Sequence, residues 1–515
     1  MASKSNLVNL DAMILREDFA TEAEEEFSSD SFRSFSVKDF DLYSHVIKKP
    51  DFQRETNQWS PQQVASLISS YVSGDLIPSV ILWKGSYIFV IDGGHRLSAL
   101  RAWVLDDYGD ASVSQKFFNY QIPKEQLESA RKTRELVEKN VGSWQGLKDK
   151  ISSPDATPEE KRKISKILTQ ALTIQWVSGD EDKAEVSFFN INMKGTPLDD
   201  VEEFLLKNRK KPTSIAARAV IRAGFGHKYW SKFDAATAKQ IETYAKKIHS
   251  IAFDPDIQSP VKTLELPLGG SRGVRVAIQL LIDFIEAATY GVGSKVVEAE
   301  DNDGLKTINC LRQSIKLFNR ITGNDRGSLG LHPAVYFYGP SGRHSSPMFL
   351  GTSFLIAKHI RNNNKKFFSD FISIRESLEK ILIEKKDLIA LIIQKVSSRR
   401  RSTAYMDIIE KLIIDLLSGK TEISDDSIVK YGGFTGKVLN GVQNIQSSDF
   451  SDDVKSEAFI NAALKGCIKC DICSGYIDAS KSISYDHDGR KRDGGVGSLD
   501  NCRLTHPYCN QAVKN

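Results

Sequence analysis

The chain has 515 residues, of which 40% are hydrophobic and 26% are charged. This length and composition predict a soluble globular protein of several domains, and they exclude a disordered or membrane-spanning class. The 70 basic and 66 acidic residues leave a net charge of only +4. The overall charge therefore does not indicate a nucleic-acid partner by itself.

The cysteines are unevenly distributed, since five of the six follow residue 466. Such clustering favours a metal site in a reducing compartment over a disulfide framework. The first residues carry no basic-then-apolar export signal, and no uninterrupted apolar run is long enough to span a bilayer. We therefore expect a cytoplasmic protein with no membrane partner.

Regular structure is predicted to begin near residue 36. Residues 1–35 are acidic and serine-rich with little periodicity, which predicts a loosely ordered lead-in. Ser60 stands in an N-cap position, and Pro61 follows at the first position of a helix. The predicted elements are then a helix over 61–73, strands over 79–83 and 87–91, and a helix over 97–105.

A candidate phosphate site falls between the second strand and the following helix. A glycine-rich turn at a helix start lets backbone N–H groups approach an anion. Arg96 can bind a phosphate through two hydrogen bonds, and Asp92 can hold a cation or a ribose hydroxyl. A structural salt bridge with turn capping is an equally good interpretation of these residues. The candidate nucleotide or phosphate ligands are Gln53, Arg54, Asp92, Gly93, Gly94, His95 and Arg96.

The surroundings of this motif resemble a known family. Gln53-Arg54, Trp59, a helix, two strands and the 92–96 motif are similar to the ParB/sulfiredoxin-like superfamily. Within that superfamily, the chain resembles a domain of unknown function that has a D-G-Q-Q-R motif. This domain is found in GmrSD-type and SspE-type restriction proteins. A second stretch of similarity, over residues 188–198, extends the resemblance to residues 36–205. The resemblance implies a ParB-like α/β domain that binds and hydrolyses a nucleoside triphosphate, although Gly94 and His95 replace the two glutamines.

Helical periodicity dominates residues 206–460, where no catalytic motif occurs. This predicts a mainly α-helical middle domain. The role of this domain remains open: it would space the two ends of the chain apart, contact DNA, or couple the two ends.

The last segment, 461–515, contains two pairs of metal-ligand residues. Cys470 and Cys473 form a Cys-x2-Cys pair, and His506 and Cys509 form a His-x2-Cys pair, the spacing of a zinc site. Cys467 offers an overlapping Cys-x2-Cys pair, so it is an alternative to Cys470 or Cys473. We favour Cys470 and Cys473, because they lie nearest in sequence to the strand expected to carry Asp486. A zinc knuckle without any catalytic chemistry would have the same spacing.

Four polar residues accompany the metal-ligand pairs: Asp486, His487, Asn501 and Asn510. A metal-dependent phosphodiesterase needs a carboxylate for a divalent cation, an imidazole to deprotonate water and an amide to orient groups. The segment resembles an HNH endonuclease of the ββα-metal class. The resemblance implies that His487 is the general base, that Asp486 and Asn510 bind catalytic Mg²⁺, that Asn501 braces the His487 loop, and that the zinc is structural. Asn510 stands where that family often has histidine.

Arg490, Lys491 and Arg492 follow the Asp-His pair, where the phosphates of a substrate would pass, so we expect them to bind DNA. The sequence as a whole predicts an α+β multidomain protein with a ParB-like α/β N-terminal domain, a mainly α-helical middle and a C-terminal ββα-metal HNH module. The predicted divisions are a lead-in (1–35), the ParB-like domain (36–205), the helical middle (206–460) and the HNH nuclease domain (461–515).

The predicted function is that of a metal-dependent DNA endonuclease in restriction or anti-phage defence. Its substrate would be foreign or phage DNA, with base modification as one basis of recognition, and its N-terminal domain would sense nucleotide or DNA. An oligomer is compatible with this interpretation. Two alternatives remain: a non-enzymatic ParB-like DNA-binding protein with a zinc clamp, and a nucleotide-switched RNase toxin.

Overall fold

A computed structural model describes residues 7–17, 33–50, 59–194, 200–224, 228–271, 274–434 and 450–512. The chain divides into two compact units: Met1–Arg209 with Phe225–Tyr229, and Lys210–Gly224 with Trp230–Asn515. The predicted helical middle and the predicted C-terminal module both lie in the second unit, apart from residues 206–209 and 225–229 of the middle.

The first unit contains a six-stranded mixed sheet. Its strands are β1 (Arg16–Glu17), β2 (Ser34–Ser36), β3 (Ile47–Pro50), β4 (Val80–Lys84), β5 (Ile88–Asp92) and β6 (Ala171–Val177), in the order β1-β3-β5-β4-β6-β2. The pairs β1/β3, β3/β5 and β4/β6 are parallel, whereas β4/β5 and β2/β6 are antiparallel. The two strands predicted around residues 79–91 are therefore adjacent.

The helices of this unit pack around the sheet. They are α1 (Phe40–Tyr43), α2 (Pro61–Ser73), α3 (Gly94–Leu105), α4 (Ser112–Phe117), α5 (Lys124–Asn140), α6 (Trp144–Ser152), α7 (Pro158–Thr169), α8 (Glu181–Lys194) and α9 (Asp200–Lys207). The start of α2 is as predicted: the Ser60 hydroxyl accepts the Gln63 N–H at 3.3 Å, and Pro61 is the first helical residue. Val64 and Ile68 of α2 are buried in the core with Leu82 and Val90 of the sheet.

Part of the predicted lead-in is folded, so the prediction of loose order over 1–35 is wrong for residues 7–17 and for residues 33–35, which enter β2. Val8, Met13 and Ile14 are buried in the core of the first unit, and β1 pairs with β3. The acidic and serine-rich average of the whole segment conceals this short apolar run, which is stabilised by burial against distant residues.

The second unit is mainly helical, as predicted for the described residues of the middle segment. Its helices are α10 (Pro212–Ile221), α11 (Ala235–Phe253), α12 (Val274–Thr289), α13 (Leu305–Ile321), α14 (Pro333–Tyr336), α15 (Ser346–Arg361), α16 (Lys365–Ser373), α17 (Arg375–Glu384), α18 (Lys386–Lys395), α19 (Arg401–Leu417), α20 (Asp425–Tyr431) and α21 (Asp452–Lys465). Among the residues with described positions, no helix combines the length and apolarity needed to cross a membrane.

The chain ends in a small ββα arrangement. Strands β7 (Ser484–His487) and β8 (Cys502–Thr505) pair antiparallel with His487 opposite Cys502, and α22 (Pro507–Ala512) follows. Hydrogen bonds join this arrangement to the rest of the second unit: Tyr508 N–H donates to Ser328 O at 2.9 Å, and the Ser482 hydroxyl accepts the Gly323 N–H at 2.7 Å. The last segment is thus built into the helical unit.

Candidate metal centre and nuclease site

Cys470, Cys473, His506 and Cys509 form a buried cluster whose ligand atoms all lie within 4.8 Å of one another. The Cys473 Sγ is 3.4 Å from His506 Nδ1, and the Cys509 Sγ is 3.9 Å from the same nitrogen. The first pair sits on a tight turn, closed by the bond from Ser474 N–H to Cys470 O at 2.8 Å. Three sulfurs and one imidazole nitrogen at this spacing are consistent with the donor set that structural zinc sites use.

Cys467 is not part of this cluster. Its thiol donates instead to Ile477 O at 3.5 Å, and burial raises its pKa, so it is a protonated thiol at neutral pH. The geometry therefore favours Cys470 and Cys473 over the overlapping pair that includes Cys467.

The protonation of the four side chains fits a metal site. Burial lowers the pKa of His506, which keeps the imidazole neutral, as a ligand must be. His506 Nε2–H donates to Tyr476 O at 3.0 Å, so Nδ1 is left for the sulfurs. Hydrogen bonds from Cys473 and Cys509 lower the pKa of Cys470, and the Cys470 contact raises the pKa of each donor. A cation at the centre would allow all three cysteines to be thiolates together.

The Asp-His pair ends strand β7. Side chains alternate along a strand: Tyr485 is 65% exposed, whereas Asp486 is only 8% exposed. His487 is partly buried at the end of the strand, opposite Cys502. The Asp486 carboxylate thus lies on the inner face, and His487 stands where the chain leaves the sheet.

Asn501 lies just before β8 and holds the loop that follows His487. Its Oδ1 accepts the Gly489 N–H at 2.6 Å, and its Nδ2 donates to Gly489 O at 3.2 Å and to Val496 O at 2.8 Å. The Asn501 carbonyl also accepts the Asp488 N–H at 3.0 Å. The Asn501 side-chain amide thus binds both Gly489 and Val496, on the two sides of the loop. A residue that braces the His487 loop would make such contacts.

Asn510, on α22, contacts β7 through its amide nitrogen. Nδ2 donates to Ser484 Oγ at 2.8 Å and to Tyr485 O at 3.1 Å. Because both donors are directed at the strand, Oδ1 is the atom that a hard divalent cation would take. Helix α22 therefore brings the Asn510 amide group beside the strand that carries Asp486.

The basic run 490–492 is exposed in the loop between β7 and β8. The loop turns tightly, because Gly494 has φ +91° and a Cβ on Gly495 would overlap the carbonyl oxygen of Gly489. The three cationic side chains thus lie within a few residues of His487, in a loop that Asn501 holds.

The other predicted site lies in the first unit, between β5 and α3. Gly93, with φ +93°, is the N-cap of α3, and Gly94 is its first residue. Arg96 Nη2 donates to Asp92 Oδ2 at 2.5 Å and to Ser79 O at 3.1 Å, and the His95 ring stacks on Trp59 with centroids 5.5 Å apart. Arg96 and Asp92 thus bind each other, as in the salt-bridge interpretation. The remaining candidates, Gln53 and Arg54, lie outside the described residues.

Sequence patterns did not indicate Arg375 and Glu379, a pair on α17 that lies against the metal cluster. Both are fully buried, with Arg375 Nε 2.7 Å from Glu379 Oε1. The only local signal is opposite charge at i, i+4, which is common on exposed helix faces.

Together, the fold and the sites define a mixed α and β protein with a small N-terminal sheet, a helical unit and a Cys3His cluster that could hold a metal ion. Residues 37–209, about a third of the chain, match the family model of the GmrSD restriction endonuclease N-terminal domain. This match supports a restriction protein of the GmrSD type. The chain matches no curated protein and no solved structure.

Proposed function

We propose that the protein is a metal-dependent DNA endonuclease of the restriction or anti-phage type. Its C-terminal ββα arrangement would act as an HNH nuclease, and its N-terminal domain would sense nucleotide or DNA. The carrying observation is that Asp486 and His487 end strand β7, that Asn501 immediately precedes the paired strand β8, and that Asn510 on α22 donates to Ser484 and Tyr485 of β7. The restriction endonuclease domain matched at residues 37–209 supports the same class of function.

In this proposal the four residues Cys470, Cys473, His506 and Cys509 hold a structural zinc. The zinc would fix the start of α22 relative to the Cys470 turn. It would thereby set the position of Asn510 beside β7.

The catalytic step uses four residues of the same arrangement. A divalent cation held by Asp486 and Asn510 would supply positive charge to the scissile phosphate and to the leaving 3′ oxygen. His487 would accept a proton from the attacking water at an imidazole nitrogen, giving a 5′-phosphate product. Asn501 would keep the His487 loop in place.

Substrate binding would use the exposed basic run 490–492, whose cations attract the phosphate backbone without reading its sequence. In the first unit, the motif at 92–96 would sense nucleotide or DNA phosphate. Because Asp92 already holds Arg96, a phosphate would have to compete with that carboxylate for the guanidinium. Nucleotide binding would then change the contact between β5 and α3.

The test is cleavage by the full chain of supercoiled plasmid and of a structured RNA, each with Mg²⁺ or EDTA and with or without GTP or ATP. We expect nicked and linear plasmid in Mg²⁺ only, and intact RNA. Cleavage of RNA alone would support the nucleotide-switched RNase instead. Retarded but uncut DNA in every condition would support the non-enzymatic zinc clamp.

A further inference from the structure

The ion pair of Arg375 and Glu379 lies deep in the second unit, with side chains 0% and 1% exposed. Burying two charges costs solvation free energy, which is recovered only when the polar atoms of both side chains find good partners. The partners of this pair therefore indicate what it stabilises. Apart from the Tyr336 hydroxyl, they lie on two segments next to His506.

Arg375 holds the first of these segments. Its Nη1 donates to Leu329 O at 2.6 Å and its Nη2 to Gly330 O at 3.0 Å. Gly330 in turn faces the His506 imidazole so closely that a Cβ there would lie 2.9 Å from Cδ2 of the ring. The Arg375 guanidinium thus fixes the backbone at Gly330, which lies against the His506 ring.

Glu379 holds the second segment. Its Oε2 accepts the Tyr476 N–H at 2.7 Å, while its Oε1 binds Arg375 and accepts the Tyr336 hydroxyl at 3.0 Å. Tyr476 O then accepts the His506 Nε2–H at 3.0 Å. Tyr476 therefore connects the Glu379 carboxylate to the nitrogen of His506 that faces away from the sulfurs.

The turn that carries the first cysteine pair also packs on this ion pair. A Cβ on Gly475 would lie 2.5 Å from Arg375 Nε, so only glycine leaves room for the guanidinium at this position. Arg375 also interacts electrostatically with Cys473 and Cys509. Three thiolates, an imidazole and a divalent cation would carry a net charge of −1, for which a buried guanidinium is a favourable neighbour.

We propose that Arg375 and Glu379 are positioning residues of the metal centre, which orient His506 through Gly330 and Tyr476 and make metal affinity depend on helix α17. The inference rests on the proposed zinc site. Hydrogen-bonded partners of this kind fix the orientation of a metal-bound imidazole, and their loss typically weakens metal affinity by about 10- to 100-fold. The helical unit would then contribute directly to the metal centre.

The main variant is Glu379→Gln, which keeps the size of the side chain but replaces one acceptor oxygen with a donor. Arg375→Lys is the second variant, and it keeps the charge while losing the two-pronged contact with Leu329 and Gly330. Two controls are matched to these changes. Glu384→Gln makes the same substitution at an exposed site on α17. Lys386→Met removes a partly buried cation on α18 that donates to Ala334 O at 2.5 Å.

The measurement uses the full chain. Zinc affinity is obtained by competition with a chromogenic chelator, and ligand geometry from the visible absorption bands of the Co²⁺-substituted protein. We expect zinc binding about 10- to 100-fold weaker in Glu379→Gln and Arg375→Lys, with shifted Co²⁺ bands. Both controls should stay within about twofold of wild type, even where Lys386→Met lowers the melting temperature, because neither side chain orients a metal ligand through a hydrogen-bonded partner.

Two outcomes would overturn the inference and are distinguishable from each other. If the wild type binds zinc and both variants match it in affinity and Co²⁺ spectrum, the ion pair only stabilises the fold, and the proposed function stands. If the wild type itself binds neither zinc nor Co²⁺, the proposed metal centre fails together with the role of the pair.

Discussion

Replacing Asn501 with alanine should open the loop that follows His487. The side chain makes three hydrogen bonds, to the N–H and carbonyl of Gly489 and to Val496 O. At about 1 kcal/mol for each bond, their loss would cost about 3 kcal/mol. Because the site is partly exposed, water would replace some of these hydrogen bonds. We therefore expect the free energy of opening the loop to fall by about 2 kcal/mol, which makes the population with an open loop about 30-fold larger.

The assay is amide hydrogen exchange of the peptide covering residues 488–501, together with plasmid cleavage. Asn501→Ala should speed exchange of the Gly489 amide by about 30-fold and reduce cleavage without loss of zinc. Asn501→Asp keeps the acceptor for Gly489 N–H but loses both donors, so its exchange rate should be intermediate. Ser498→Ala is the control in the same loop. If Asn501→Ala exchanges no faster than Ser498→Ala, Asn501 does not brace the loop.

Three further predictions concern metal, DNA and pH. Cys509→Ser should lose the zinc whereas Cys467→Ser should keep it, and equal zinc content by elemental analysis would contradict the ligand assignment. Replacing all three residues of the run 490–492 with glutamine should lower the salt slope of duplex DNA binding by about 3, as followed by fluorescence anisotropy; an unchanged slope would place the DNA elsewhere. Burial lowers the pKa of His344 from 6.5 to about 4. As the pH drops below 6.5, His344 is therefore protonated in the unfolded state before it is protonated in the folded state. The free energy of unfolding should fall accordingly, by about 3 kcal/mol near pH 4. His344→Gln should flatten that part of the pH profile in denaturant titrations, and an unaltered profile would assign the acid sensitivity to other groups.

The parts of the structure that follow from local rules were predictable from the sequence. The helix at 61–73 has its own start signal in Ser60 and Pro61, and the metal cluster follows from ligand spacing within two short turns. Antiparallel pairing of β7 and β8 also brings Asp486 and His487 opposite the residues that follow Asn501.

Features that depend on distant contacts were not predictable in this way. Residues 7–17 fold because they pack against a core assembled from the whole first unit. Arg375 and Glu379 meet the metal-ligand segment about a hundred positions along the chain, and no periodicity marks such a contact. Spacing alone likewise could not decide between the pair Cys467 and Cys470 and the pair Cys470 and Cys473. Only the folded turn shows which sulfurs lie close together.

The most direct test of the proposed nuclease compares wild type with His487→Ala in Mg²⁺-dependent plasmid cleavage, with zinc content and melting temperature measured on the same samples. His487 is not one of the four residues of the metal cluster, so its loss should leave zinc content and thermal stability nearly unchanged. The variant should retain its zinc and should no longer cut the plasmid. Cleavage by His487→Ala at a rate close to wild type would contradict the assignment of this site as the nuclease centre.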